Sequence, residues 1–159
     1  MSPRERVEAA LLAAGITSQV VEFDASTRTA PEAAAAVGCE LGQIVKTLFF
    51  LADGRPTLVL VAGDRQADTG RLAELLGVTR KKLKMGSPDE VPRLTGYEIG
   101  GVSPFGSLTE TDVVIDESLR RFERLWAAAG AGNAVFEIGT RELAEKVDGQ
   151  WAAITRDPS

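Results

Sequence analysis

Ile44-Val45-Lys46-Thr47-Leu48-Phe49-Phe50-Leu51-Ala52, then Asp53-Gly54, then Thr57-Leu58-Val59-Leu60-Val61-Ala62: these residues set the architecture. The two apolar runs, rich in β-branched and aromatic residues, read as strands. The Asp-Gly pair between them suits a two-residue hairpin turn, whose backbone needs positive φ. One antiparallel pairing is thereby fixed at its turn. Upstream, Ser2, Pro3 and Glu5 form a capping-box start for a helix that stops at Gly15, with Val7, Leu11 and Ala14 on one face. Gln19 to Phe23 reads as a strand, and Thr29, Pro31 and Glu32 open an alanine-rich helix ending near Gly38. Downstream, the pattern predicts a helix from Asp68 to Leu76, a shorter one from Thr79, and a helical turn from Ser87, Pro88 and Glu90 to Gly96. Strands follow at Val113–Ile115, Val135–Ile138 and Trp151–Ile154, with a helix capped by Thr140 running through Val147. Ser118 to Ala129 fits two descriptions. Leu119, Phe122, Leu125 and Trp126 have helical spacing, whereas Phe122 to Ala127 also suits a buried strand. The pattern predicts mixed α/β with at least five strands.

Composition then limits the chemistry. The 159 residues contain no histidine and a single cysteine, Cys39. That excludes Ser-His-Asp and Cys-His nucleophilic sites, histidine-ligated metals, thiolate zinc sites and an intramolecular disulfide. No metal site and no cofactor is expected. Reactivity has to come from lysine, carboxylates, hydroxyls, backbone amides or the substrate itself. No apolar run is long enough for a membrane span and no signal-peptide segment is evident, so a cytoplasmic protein without a membrane partner is expected.

The net charge of −5 argues against generic nucleic-acid binding, and no DNA partner is expected. The average conceals an asymmetry. Residues 71–93 carry six basic and three acidic side chains, +3 against −8 for the remainder. Within them Arg80, Lys81, Lys82 and Lys84 fall in five positions, a density suited either to phosphates or to a solvated helix end.

Lys46 stands out because its surroundings are apolar. Strand alternation puts it on one face with Ile44, Leu48 and Phe50, where an ammonium is costly unless it reaches water, an anion or a dipole. It is either an edge-strand lysine that discourages aggregation or a cation at the mouth of a pocket. The second unusual stretch is Gly100-Gly101-Val102-Ser103-Pro104-Phe105-Gly106. Such a loop can turn backbone N–H groups onto a phosphate or an ester carbonyl, although it matches neither the P-loop nor the dinucleotide fingerprint. Asp64 and Asp68 read as a carboxylate pair or, more simply, as a helix cap at Asp68. Ser26-Thr27-Arg28-Thr29 is a polar loop that either caps the next helix or meets a ligand. Cys39, Trp126 and Trp151 read as core residues.

Taken together, Val45-Lys46-Thr47-Leu48 and Gly100-Gly101-Val102-Ser103-Pro104-Phe105-Gly106 resemble the YbaK/EbsC family of aminoacyl-tRNA deacylases, relatives of the editing insertion domain of bacterial prolyl-tRNA synthetases. The likeness extends over nearly the whole chain. It implies one editing domain over residues 1–159, built as a mixed, largely antiparallel sheet or partly closed barrel flanked by helices. It also favours a strand for Phe122–Ala127. The implied activity is trans-editing: hydrolysis of the ester joining a wrong, small amino acid (alanine, cysteine or 2-aminobutyrate) to tRNA, often the proline tRNA. The resemblance places Lys46, Gly100 and Gly101 in the catalytic site. Thr47, Pro104, Phe105, Gly106, Thr29 and Glu137 fall around the substrate, with Glu137 where many relatives have aspartate. A family serine falls on Gly130. Arg80, Lys81, Lys82 and Lys84 would bind tRNA, and prolyl-tRNA synthetase is a further candidate partner. A non-catalytic module that binds aminoacyl-tRNA or a synthetase is the alternative, with a phosphate- or small-ligand-binding domain behind it.

Overall fold

A computed structural model describes residues 1–24 and 29–157, and the hairpin turn forms as its sequence requires. Asp53 and Gly54 both take positive φ, 50° and 84°, and join the two longest strands directly. From the amino terminus, helix α1 (Pro3–Ala13) is followed by strand β1 (Val20–Glu22) and helix α2 (Ala30–Val37). Strands β2 (Ile44–Ala52) and β3 (Arg55–Ala62) form the hairpin, and the short β4 (Gln66–Ala67) precedes α3 (Thr69–Leu76). Then come β5 (Leu83–Met85), α4 (Glu90–Thr95), β6 (Asp112–Asp116), β7 (Arg124–Ala128) and β8 (Ala134–Gly139). Helix α5 (Thr140–Val147), β9 (Gln150–Ala152) and β10 (Thr155–Arg156) complete the order. No helix among the described residues is long and apolar enough to cross a membrane.

The caps explain the helix boundaries. Ser2 and Glu5 make the reciprocal capping box of α1, and Thr29 and Asp68 accept from backbone N–H groups that α2 and α3 would otherwise leave unpaired. Thr140 differs from expectation. It is the first residue of α5 rather than its cap, and its hydroxyl donates to the carbonyl of Phe122. Ser118–Ala129 divides between its two descriptions: a 3-10 segment covers Glu117–Arg121, and β7 follows. Strand pairing decides the second half, because β7 runs antiparallel to β8 and parallel to β2, and both ladders satisfy its backbone.

The main sheet runs β1-β8-β7-β2-β3-β6-β9, with β5 added beside β2 and a separate pair formed by β4 and β10. It is open, with β1 and β9 at its edges, so of the two expected forms the mixed sheet is the one adopted. Pairing is mixed: β2–β7, β3–β6 and β6–β9 are parallel and the other neighbours antiparallel. The strand period of two carries the core to both faces of β3. Leu58, Leu60 and Ala62 join Val7, Leu11, Tyr97, Phe105 and Phe136, while Val59 and Val61 join Phe50, Leu72 and Ala73. Helices α1 and α3 thus cover opposite faces of a central strand.

Candidate functional site

β2 changes neighbours along its length. On the side away from β3 it pairs with β7 at Ile44 and Val45, and with β5 at Phe50–Ala52. Between these ladders, Lys46 to Phe49 have no strand on that side among the described residues. The sheet splits there, around a cavity of about 450 Å³, within the range usual for small-ligand sites. Its walls come from the start of α2 (Thr29, Ala33), the β7–β8 hairpin (Ala128, Ala131) and the segment Ile99–Gly100, with Met85 from β5. Among the described residues on this wall, Lys46 is the only charged side chain.

β2 is an interior strand of the sheet, but at Lys46 its side away from β3 is open to the cavity. Its ammonium donates to the carbonyl of Arg65, in the turn after β3. Burial pushes the lysine pKa down, and the nearby Asp64 carboxylate offsets only part of that effect. Asp64 itself is held by Arg121, whose two terminal nitrogens donate at 2.9 and 2.7 Å. Those bonds keep the Asp64 carboxyl below the usual carboxylate range. Asp64 and Asp68 therefore do not act as a pair, since Asp68 caps α3. Thr47 points to the opposite face of β2 and also lines the cavity. Its hydroxyl is buried and has no hydrogen-bond partner among the described residues. An unmet buried hydroxyl costs about 1–3 kcal/mol, which a bound polar ligand would recover.

The glycine segment divides in function. Gly100 and Val102 stand on the cavity wall. Gly101 lies behind it: its N–H donates to the Glu98 carbonyl and its carbonyl accepts from Gly130, both at 2.9 Å. The amides of Gly100, Val102, Ser103 and Gly106 have no acceptor among the described residues, and of these four residues Gly100 and Val102 stand on the cavity wall. Ser103, Pro104 and Phe105 are buried in the core, where Phe105 packs 6.0 Å from the Phe136 ring centroid. Gly106 is half-buried, and none of Pro104, Phe105 and Gly106 reaches the cavity wall. Gly130 occupies a backbone position at φ 93°, and a Cβ there would sit 2.8 Å from the Pro3 carbonyl group. A serine does not fit this position as the chain is folded.

Thr29 reaches the wall while capping α2. Ser26, Thr27 and Arg28 lie outside the described residues. Glu137, on β8, is off the wall and pairs with Arg124 at 3.3 Å. Arg80, Lys81 and Lys82 form an exposed 3-10 turn leading into β5, where exposed Lys84 immediately precedes Met85 on the cavity rim. Lys84 is thus next to the rim, whereas Arg80–Lys82 lie at the far end of β5, beside the Asp53 turn. Within the cluster, Lys82 lies 3.8 Å from Asp53.

Three residues read as core pack at its margin. Trp126 is half-buried, lines the cavity and packs on Ala33, Ala34 and Ile44. Trp151 is also half-buried, with the Arg120 guanidinium 4.3 Å from its ring centroid. Cys39 is a half-buried free thiol that burial pushes above its ordinary pKa. Sequence reasoning missed the Arg121–Asp64 pair and the small-residue wall. Only the run of alanine and glycine from Ala127 to Ala134 hinted at the latter.

Comparison with known proteins identifies the family and the fold. The family model described as "Aminoacyl-tRNA editing domain" matches residues 24–146. A Bacillus subtilis protein, the uncharacterized YwhH, is 36% identical over 142 residues, 88% of each chain. A crystal structure described as a proposed trans-editing enzyme for prolyl tRNA synthetase superposes with a TM-score of 0.92 at 40% identity, covering 98% of both chains. A proline–tRNA ligase of Nitratidesulfovibrio vulgaris is 38% identical over 78 residues, 49% of this chain but 13% of that longer protein. The chain belongs to the aminoacyl-tRNA editing domain family.

Proposed function

We propose that the protein is a trans-editing hydrolase that deacylates mischarged tRNA, with a proline tRNA carrying alanine, cysteine or 2-aminobutyrate as the favoured substrate. The observation that carries this reading is the Lys46 ammonium, the only charged group among the described residues of a wall that also holds Gly100 and Val102, whose amides have no acceptor among the described residues. An aminoacyl ester is already activated, so positioning and oxyanion stabilisation supply much of the rate. In this scheme Lys46 anchors the terminal nucleotide, and the amides of Gly100 and Val102 polarise the scissile carbonyl. The ribose hydroxyl of the tRNA helps activate water, which makes a histidine base unnecessary. Thr29 and Thr47 supply hydroxyls to the substrate, and the alanine-rich wall admits small amino acids and excludes larger ones by size. Arg80, Lys81, Lys82 and Lys84 take acceptor-stem phosphates along the path from the cavity rim at Met85 toward the Asp53 turn. The relation to proline–tRNA ligases supports that synthetase as a partner.

A deacylation panel tests the reading, using proline tRNA charged with alanine, cysteine, serine, threonine or 2-aminobutyrate. Turnover confined to the small members supports it. Binding without turnover of any member contradicts it in favour of a non-catalytic module.

A further inference from the structure

The segment that carries the cavity amides is closed from behind by one side chain of α1. Arg6 is half-buried and lies before the residues matched by the family model. Its Nε donates to the carbonyl of Gly106 at 2.8 Å, and its Nη2 donates to the carbonyl of Gly96 at 2.8 Å and of Thr95 at 3.3 Å. Gly96 opens the connection between α4 and β6, and Gly106 closes the part of it, 96–106, that places Gly100 and Val102 on the cavity wall. A single guanidinium thus brackets that part at both ends. The same group lies 4.6 Å from the Tyr97 ring centroid, and the fully buried Tyr97 donates its hydroxyl to the Phe105 carbonyl at 2.6 Å. A Cβ on Gly106 would lie 2.5 Å from that hydroxyl, so the glycine is what lets the clamp close. The amino-terminal end of α1 supports the same loop by a second route. Pro3 packs on Gly130, whose N–H holds the Gly101 carbonyl.

We propose that Arg6 and Tyr97 are positioning residues. They fix the loop so that the amides of Gly100 and Val102 sit where the scissile carbonyl arrives. The proposal rests on the editing reading above. Arginine is suited to this task because its planar fork donates in two directions at once, whereas a lysine ammonium is a point charge on a flexible stem. Displacing oxyanion donors by about an ångström costs about a hundredfold in rate while leaving substrate binding through other groups intact.

The test uses the full chain with Arg6→Met, Arg6→Lys and Tyr97→Phe. Steady-state deacylation of alanyl-tRNA for proline is read beside amide hydrogen exchange over residues 98–106. Arg6→Met is expected to lose about a hundredfold in kcat with KM nearly unchanged. Arg6→Lys should fall between it and the wild type. Exchange over 98–106 should rise about tenfold while β2 and β3 keep their protection, as local rather than global opening requires. Should Arg6→Met fail to fold, Arg6→Lys and Tyr97→Phe decide by the same split, since each keeps most of the packing. A folded variant with unchanged kcat, a loss confined to KM, or unchanged exchange over 98–106 overturns the proposal. Should the wild type hydrolyse no charged tRNA, the functional reading falls and the exchange experiment alone decides the clamp.

Discussion

Asp64 is gripped by both terminal nitrogens of Arg121, at 2.7 and 2.9 Å, and is thereby kept from closing an ion pair with Lys46. Among the described residues, the one cation of the cavity wall is bound only to a backbone carbonyl, that of Arg65. Removing Arg121 should release the carboxylate to the lysine. Arg121→Ala is therefore expected to lower deacylation, and adding Asp64→Asn to the same chain should restore it. Rates for the two single variants and the double variant check this, because a rescue of that sign requires coupling between the two positions.

Lys46 also links the site to stability. Burial lowers its folded-state pKa below the ordinary lysine value of about 10.4. Between those two values the unfolded chain binds more protons than the folded one, so stability rises with pH across that window. Relative to Lys46→Met, the wild-type melting temperature should gain as pH increases from neutrality toward about 10. Thermal melts of both proteins at several pH values check the slope. Since the ammonium is the working form, catalysed deacylation, corrected for spontaneous hydrolysis, should decline over the same range.

The basic turn before β5 is the proposed path of the tRNA backbone. Changing Lys81, Lys82 and Lys84 together to glutamine should weaken binding. The slope of log affinity against log salt should shrink by about 0.7–0.9 for each phosphate that is no longer neutralised. Filter binding over a salt series measures that slope. An unchanged slope would return the cluster to a solvated surface.

Gly130→Ser restores the residue type that the family pattern places there, yet its Cβ would meet the Pro3 carbonyl group. The substitution should destabilise the protein by about 1–3 kcal/mol, the usual cost of overpacking with backbone strain, and should not raise activity. Denaturant unfolding and a deacylation assay give the two numbers.

What could be read from the sequence follows from the range of each interaction. Local signals read correctly: the Asp53-Gly54 turn, the Ser2–Glu5 box, the Thr29 and Asp68 caps and the strand holding Lys46 each depend on residues a few positions apart. Relations made by the folded sheet did not read. Nothing near Lys46 states that β7 and β5 leave β2 at different points, and that divergence is what opens the cavity. Arg121 reaches Asp64, and Arg6 reaches Gly96 and Gly106, only after strands distant in sequence have paired. The glycine segment was legible as unusual, but its division between exposed amides and a buried anchor depends on Phe136 and Tyr97, which lie outside it. The side-chain pattern alone left residues 122–127 open between helix and strand, because buried strands and buried helix faces draw on the same side chains, and only the family resemblance favoured the strand. The ladders to β8 and β2 settled them.

Whether the Lys46 ammonium in the split of the sheet serves ester hydrolysis on tRNA is decided by comparing wild type with Lys46→Ala. Both are assayed on alanyl-tRNA for proline under identical conditions, with circular dichroism confirming that each is folded. The wild type is expected to hydrolyse the ester and the variant to lose about a hundredfold or more, the scale of removing one preorganised polar group from a reaction site. Equal rates for the two folded proteins would contradict the role given to Lys46.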